Sequence, residues 1–193
     1  VQEASVADLQ TAMSAGETNS VELVEAYSAH IAAFDRSGPG LNAVRVVNPD
    51  ALTIAAALDE ERRVHGARGP LHGIPVLVKD HYETREMTTT GGSLALADFA
   101  TQRDAELVAR LRAAGAVILG KTNMHEFAYG ITTVGSLFGQ TKNPYALGQH
   151  SGGSSGGTGA AIAANFAAVV MGSDFCGSIR IPSAYQNLVG LRG

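Results

Sequence analysis

Apolar residues recur at three- and four-residue intervals through the first third of the chain, then close up into short unbroken runs, and this change of period divides the sequence. Ser5 is placed to cap a helix over VADLQTAMSA, residues 6–15, with Gly16 as its stop, and Ser20 to cap a second over residues 21–34. Pro49 opens a third, alanine-rich helix over residues 50–65, charged in its last turn and ended by Gly66. All three read as scaffold. From Ile74 the pattern is IPVLV, a branched apolar run bounded by Gly73 and the polar Lys79-Asp80, as expected for a strand buried on both faces. A helical pattern, DAELVARLRAAG, and a second apolar run, AVILG, follow. Residues 122–150 show little periodicity and many turn residues, so this stretch is expected to be functional or to hide a helix. A Gly/Ser loop, SGGSSGGTG, then feeds an alanine-rich helix and a short strand, AAVVMG. Helices alternating with wholly apolar strands predict an α/β fold, a mixed β-sheet core covered by helices on both faces. No repeat or linker breaks residues 1–193, which are expected to form a single domain.

Composition narrows the function classes more than it names one. A chain that is 45% hydrophobic and 17% charged has the makeup of a globular protein rather than a disordered one. Its net charge of −4, with both signs interspersed, provides no basic track for nucleic acid, so none is expected as a direct ligand. The lone cysteine, Cys176, excludes an internal disulfide framework and a cysteine-rich zinc site. His125 has no second ligand at a metal-binding spacing, and neither a metal nor a cofactor is expected. No apolar run reaches membrane-spanning length and no signal peptide opens the chain. A cytoplasmic location is expected, beside a processed secreted form that the opening Val1, in place of Met, leaves available.

The Gly/Ser run admits three chemistries. As a phosphate cradle it lacks the P-loop lysine, since Thr158 follows Gly157. As a nucleophile elbow, Gly153, Ser155 and Gly157 fit G-x-S-x-G, yet no histidine lies downstream of Ser155. The third reading is a serine site served by a base other than histidine. Lysine is the candidate, because an amine at the end of a buried strand is pushed toward its neutral form and can then accept a proton. Lys79 follows IPVLV and Lys121 follows AVILG, and on residue pattern alone the two are tied. For either, the plain alternative is a strand-end lysine with its ammonium in solvent.

GGSSGG, the later GSDFCGSIRIP and the upstream LHGIPVLVKD together resemble the amidase signature family of serine hydrolases. AAGAVILGKTNMHEFAYG, TKNP and NLVGLRG also resemble family segments in the right order, so the likeness covers nearly the whole chain. The resemblance implies an amidohydrolase acting on linear amide C–N bonds through a Ser-Ser-Lys triad and an acyl-enzyme. It assigns Lys79 as base, Ser154, after a cis peptide bond, as bridge, and Ser178 as nucleophile, with the backbone N–H groups of Phe175, Cys176, Gly177 and Ser178 as the oxyanion hole. Ser155, Asp174 and Arg180 are expected in support: Ser155 in the lysine-serine network or as a helix cap, Asp174 and Arg180 as an ion pair bracing the loop. A small-molecule or peptide amide is the expected substrate, with homodimerisation left open. The alternatives are the glutaminase subunit of an aminoacyl-tRNA amidotransferase, a nucleotide-binding module, and a non-catalytic fragment.

Two departures from the family pattern stand out. Glycine usually occupies the position of Cys176, so its side chain is expected to crowd a turn that prefers glycine. A complete family domain is also more than twice as long, so the chain is expected to be the N-terminal portion of that domain: a fragment, one piece of a nicked enzyme, or a truncated product.

Overall fold

The computed structural model describes residues 2–193. Helix α1 spans Val6–Ala15 and begins on the cap foreseen at Ser5, which Asp8 completes as a capping box, and Gly16 ends it at φ 74°. Helix α2, Ser20–Phe34, is capped one residue earlier than expected: Asn19 accepts the Glu22 N–H at 2.9 Å. Ser20 is displaced from the cap because it belongs to the buried first turn, where its N–H donates to Asp59 Oδ1 of the next helix at 2.8 Å. Strand β1, Val44–Val47, has no counterpart in the sequence reading, since Arg45 interrupts its short apolar run. Helix α3 follows over Ala51–His65, strand β2 over Pro75–Lys79, helix α4 over Glu106–Ala113 and strand β3 over Val117–Thr122.

The aperiodic stretch hides two small hairpins rather than a helix of any length. Strands β4 (Val134–Gly135) and β5 (Gly139–Gln140) form one, and β6 (Lys142–Asn143) and β7 (Ala146–His150) the other, preceded by a single 3₁₀ turn at Glu126–Ala128. Helix α5, Gly156–Ala163, strand β8, Val169–Met171, and helix α6, Arg180–Tyr185, complete the order. No described helix is long and apolar enough to cross a membrane.

The main sheet is mixed, as the apolar runs suggested, in the order β1-β3-β2-β8, with β2 parallel to both neighbours and β1 antiparallel to β3. Every residue of β2 and β3 is buried, because helices cover both faces. Leu77 and Leu119 pack with α2, α3 and α5 on one face; Val76, Val78 and Ile118 pack with α1 and α4 on the other. The fold class is therefore as expected.

An irregularity in the pairing of β2 with β3 separates the two buried lysines. Val76 pairs with Ile118 but Leu77 pairs with Gly120, so Leu119 is an extra residue on β3. Beyond that bulge Lys121 lies beside Val78 and Lys79 beside Thr122, which sends the two amines to opposite faces of the sheet. Thr122 confirms the assignment of faces, its hydroxyl meeting that of Thr158 on α5 at 2.7 Å.

Neither lysine has any solvent exposure. Burial pushes Lys79 down from 10.5 to about 7, opposed by the charge of Asp174, and Lys121 down to about 8, opposed by Asp80. A folded-state pKa below the unfolded value means that, between the two, the unfolded chain binds a proton the folded chain lacks. Stability therefore rises with pH across that window, and the cost of burying the ammonium is fully present below it. Lys79→Met is expected to raise stability near pH 6 and to remove the part of the pH slope that starts at about 7, as read by urea unfolding midpoints from pH 6 to 10. A variant whose midpoint follows the parent across that range would mean that water solvates the amine.

Candidate active site

Three chain segments converge beyond the carboxyl ends of β2 and β8, the place where open α/β sheets present loops to ligands. They are Lys79 at the end of β2, the turn 151–155 that leads into α5, and the loop 172–179 that leaves β8. Lys79 Nζ donates to Ser154 Oγ at 2.7 Å and to Ser173 Oγ at 2.9 Å. The Gly153–Ser154 peptide bond is cis. Ser155 stitches the two loops together: its N–H donates to the Ser178 carbonyl at 3.2 Å, and its hydroxyl donates to the Ser173 carbonyl at 3.1 Å while accepting the Ser173 N–H at 3.3 Å. It stands at the N-cap position of α5 without a side-chain capping bond, its hydroxyl going instead to the Ser173 backbone.

Ser178 is half-buried, and among the described residues no hydrogen bond joins its hydroxyl to Ser154 or to any other group. What binds it to the site is its carbonyl, held by Ser155. Asp174 organises the rest of the loop. Its carboxylate accepts the N–H groups of Gly177 at 2.7 Å, Ile179 at 3.1 Å and Arg180 at 3.2 Å, and pairs with the Arg180 guanidinium at 3.0 Å through both oxygens. These donors, the Arg180 guanidinium foremost, hold its carboxyl far below the usual carboxylate range. The expected brace is thus present, and the loop is wound around it. Of the four N–H groups expected to form an oxyanion hole, that of Gly177 is taken by Asp174, whereas those of Phe175, Cys176 and Ser178 meet no protein acceptor among the described residues.

Cys176 does not crowd its turn. The left-handed backbone falls one residue later, on Gly177 at φ 111°, and Cys176 is exposed, with no positive φ. The expectation of a distorted loop is corrected on that ground. The turn's requirement for glycine is met where glycine is present.

The lysine tie is broken by partners as well as by faces. Lys121 Nζ contacts Asp80 Oδ1 at 3.2 Å, Thr89 Oγ1 at 2.9 Å and the Thr88 carbonyl at 3.3 Å, and Arg45 Nε shares the same Asp80 oxygen at 3.1 Å. It serves a buried ion cluster, not the serines. Ser173 is the site residue that the sequence reading did not assign; a serine in an irregular loop carries no periodic signal, and only its bond to Lys79 reveals it.

The phosphate-cradle and elbow readings fail on burial. Residues 151–161 are all buried, and the N–H groups of Ser155 and Gly156 are engaged by the Ser178 carbonyl and Thr133 Oγ1. No anion has access to that helix end, and the Ser155 hydroxyl is tied to backbone. Among the described residues no group of three or more His, Cys, Asp or Glu side chains is placed to hold a metal ion.

Residues 22–193 match the family described as Amidase. The chain is 44% identical over 188 residues to a glutamyl-tRNA(Gln) amidotransferase subunit from Thermobifida fusca, covering 97% of this chain and 37% of that protein. Its fold superposes on the native peptide amidase of Stenotrophomonas maltophilia with a TM-score of 0.92 and 51% identity, covering 95% of this chain and 38% of that one. An amidase family protein from Bacillus anthracis gives a TM-score of 0.91 at 36% identity, with 96% of this chain and 38% of that one covered. The chain therefore spans well under half the length of the relatives it matches. With the family matched over most of its length and the Lys79–Ser154 contact in place, this chain belongs to the amidase signature family.

Proposed function

We propose that this segment carries the catalytic centre of an amidase that hydrolyses a carboxylic amide through an acyl-enzyme on Ser178. The observation that carries the reading is the contact of a wholly buried amine, Lys79, with the Ser154 hydroxyl at 2.7 Å. An amine held near pKa 7 is neutral in a large fraction of molecules at neutral pH. A neutral amine keeps two N–H donors and one lone pair, so it can accept the Ser154 proton while still donating to Ser173. Ser154 then takes the proton of Ser178 as Oγ attacks the amide carbonyl. The relay requires Ser178 Oγ to come within hydrogen-bond reach of Ser154, a contact of the kind that tightens when substrate is bound.

The tetrahedral oxyanion needs donors fixed in advance, and the N–H groups of Phe175, Cys176 and Ser178 are the ones not engaged elsewhere. The bond of Gly177 to Asp174 argues against it as a fourth donor. The proton returns through Ser154 to the departing nitrogen, ammonia or an amine leaves, and water releases the acyl group under the same base. No step calls for a metal or cofactor. The same segment is shared with relatives named for peptide amide, fatty acid amide and glutamyl-tRNA chemistry, which supports a common reaction without assigning a substrate to this chain. A small-molecule or peptide amide fits the 51% identity to the peptide amidase.

The second reading, a glutaminase subunit that passes ammonia to an aminoacyl-tRNA amidotransferase, is favoured by the curated relatives at 40–44% identity. Glutaminase activity that rises on adding partner subunits would support it, and turnover of simple amides without them supports the amidase.

A fluorophosphonate is expected to label the full-length protein at Ser178, and Ser178→Ala to abolish labelling. Peptide mapping that places the adduct on Ser155 would overturn the nucleophile assignment. The acylation rate is expected to rise with pH to a plateau, with a midpoint at about 7, because deprotonation creates the base. Lys79→Ala should flatten that limb and lower the rate about a hundredfold or more, the scale of a lost general base. Lys121→Ala should leave the midpoint in place; a limb that follows Lys121 instead would end the lysine-serine-serine reading.

A further inference from the structure

Ser154 sits in a turn between β7 and α5, and two buried side chains, Thr133 and Gln186, bond its backbone polar groups. Thr133 is fully buried, with its backbone in the left-handed region at φ 54°, where a β-branched residue persists only if its surroundings hold it. Its carbonyl supplies that hold, accepting the Thr141 N–H and Gln140 Nε2, both at 3.0 Å, across the β4–β5 hairpin. Its hydroxyl donates to the Gly152 carbonyl at 2.7 Å and accepts the Gly156 N–H at 2.9 Å, and the Ser154 carbonyl lies 3.5 Å away. One hydroxyl thus ties the residue two before Ser154 to the residue two after it, using its single proton and a lone pair. On the other side Gln186, also fully buried, donates from Nε2 to the Ser151 carbonyl at 2.8 Å and to the Gly156 carbonyl at 3.4 Å.

The glycines of the run make room for these two side chains. A Cβ on Gly153 would stand 2.9 Å from Thr133 Oγ1, and one on Gly156 2.3 Å from it. We propose that Thr133 and Gln186 are positioning residues that clamp the Ser154 turn, so that its hydroxyl stays on Lys79 at the geometry the proton relay needs. Neither touches Lys79 or Ser178, so neither is catalytic. Without the Thr133 hydroxyl the Gly156 N–H would be buried without a partner and the Gly152 carbonyl would keep only the Ser151 hydroxyl at 3.3 Å, and the turn would shift or admit water to compensate. The catalytic half of the inference rests on the Lys79–Ser154–Ser178 reading above.

The test uses the full-length protein and three variants: Thr133→Val, which keeps the shape and removes the hydroxyl; Thr133→Ser, which restores it; and Gln186→Met. Two readouts are taken from each: kcat and KM for a simple amide together with the fluorophosphonate labelling rate, and the titration midpoint of Lys79 Nζ by nitrogen-15 NMR. Thr133→Val is expected to lower kcat and labelling about ten- to a hundredfold with KM little changed, the scale of an ångström-sized misplacement. Water entering a loosened turn relieves the desolvation of Lys79, so its midpoint should move upward. Thr133→Ser should return both readouts to wild type.

Wild-type values in Thr133→Val, or equal losses in the Val and Ser variants, would overturn the proposal, since a packing role alone does not depend on the hydroxyl. If Thr133→Val does not fold, Gln186→Met is read by the same two criteria. If the wild-type protein is not labelled at Ser178, the proposed function fails, while the Lys79 midpoint still decides whether Thr133 holds the turn.

Discussion

The site depends on the desolvation of one amine. Lys79 ends a strand paired on both sides by parallel neighbours and roofed by helices, so no water reaches its ammonium. A charged lysine there would need a carboxylate in contact, and it has none: Asp174, the acid that acts on it, already holds three backbone N–H groups and Arg180. Lys121 supplies the comparison within the same sheet. It is equally buried, but Asp80 lies 3.2 Å from it, and it retains a higher pKa, about 8 against about 7. Burial lowers both lysines, and a carboxylate in contact offsets part of that for Lys121, whereas Lys79 feels Asp174 without touching it.

That economy explains why the surrounding polar groups are serines. Hydroxyls can donate to a neutral amine's lone pair or accept from its N–H, without the fixed negative charge that would return the amine to its protonated form. Ser154 and Ser173 meet Nζ directly, while Ser155 binds Ser173 and Ser178 through backbone groups, so the three serines differ in role although the sequence writes two of them side by side. The adjoining glycines belong to the same construction. Their missing side chains let Thr133 and Gln186 press against the turn, which makes the Gly/Ser run a packing surface and not a bed for phosphate.

Helices α1 and α3 and strands β2 and β3 were legible because each follows one period over enough residues to be read locally. Features set by a partner segment were not. Arg45 masks β1, whose pairing with β3 is visible only in three dimensions, and the bulge at Leu119 leaves no trace in the run AVILG, yet it decides which face Lys121 takes. The cap of α2 moved to Asn19 because Asp59, far along the chain, claims the N–H of Ser20. The proposed roles of Lys79, Ser154 and Ser178 rest on family resemblance, since residue pattern left two lysines and several serines equivalent. The two hairpins in residues 122–150 escaped notice because three of their four strands have only two residues and the fourth, β7, is exposed along most of its length, so none shows alternation.

The histidines bear on the proposed lysine base from the other direction. Nδ1 of His72 accepts the Arg68 N–H at 3.2 Å, that of His150 the Gly152 N–H at 3.1 Å, and that of His125 the Thr132 N–H at 3.4 Å. A ring nitrogen that accepts a backbone N–H has its lone pair occupied at that atom, so each of these imidazoles is tied into its local packing. His81, the histidine nearest the amines, is desolvated and flanked by Lys79 and Lys121, which push it down to about 4. Its neighbours thus deny it the imidazolium state that proton transfer would pass through. His125 and His150 serve as structural acceptors beside the turn, and Lys79 is the buried amine that faces a hydroxyl with no carboxylate in contact, as the proposed relay requires.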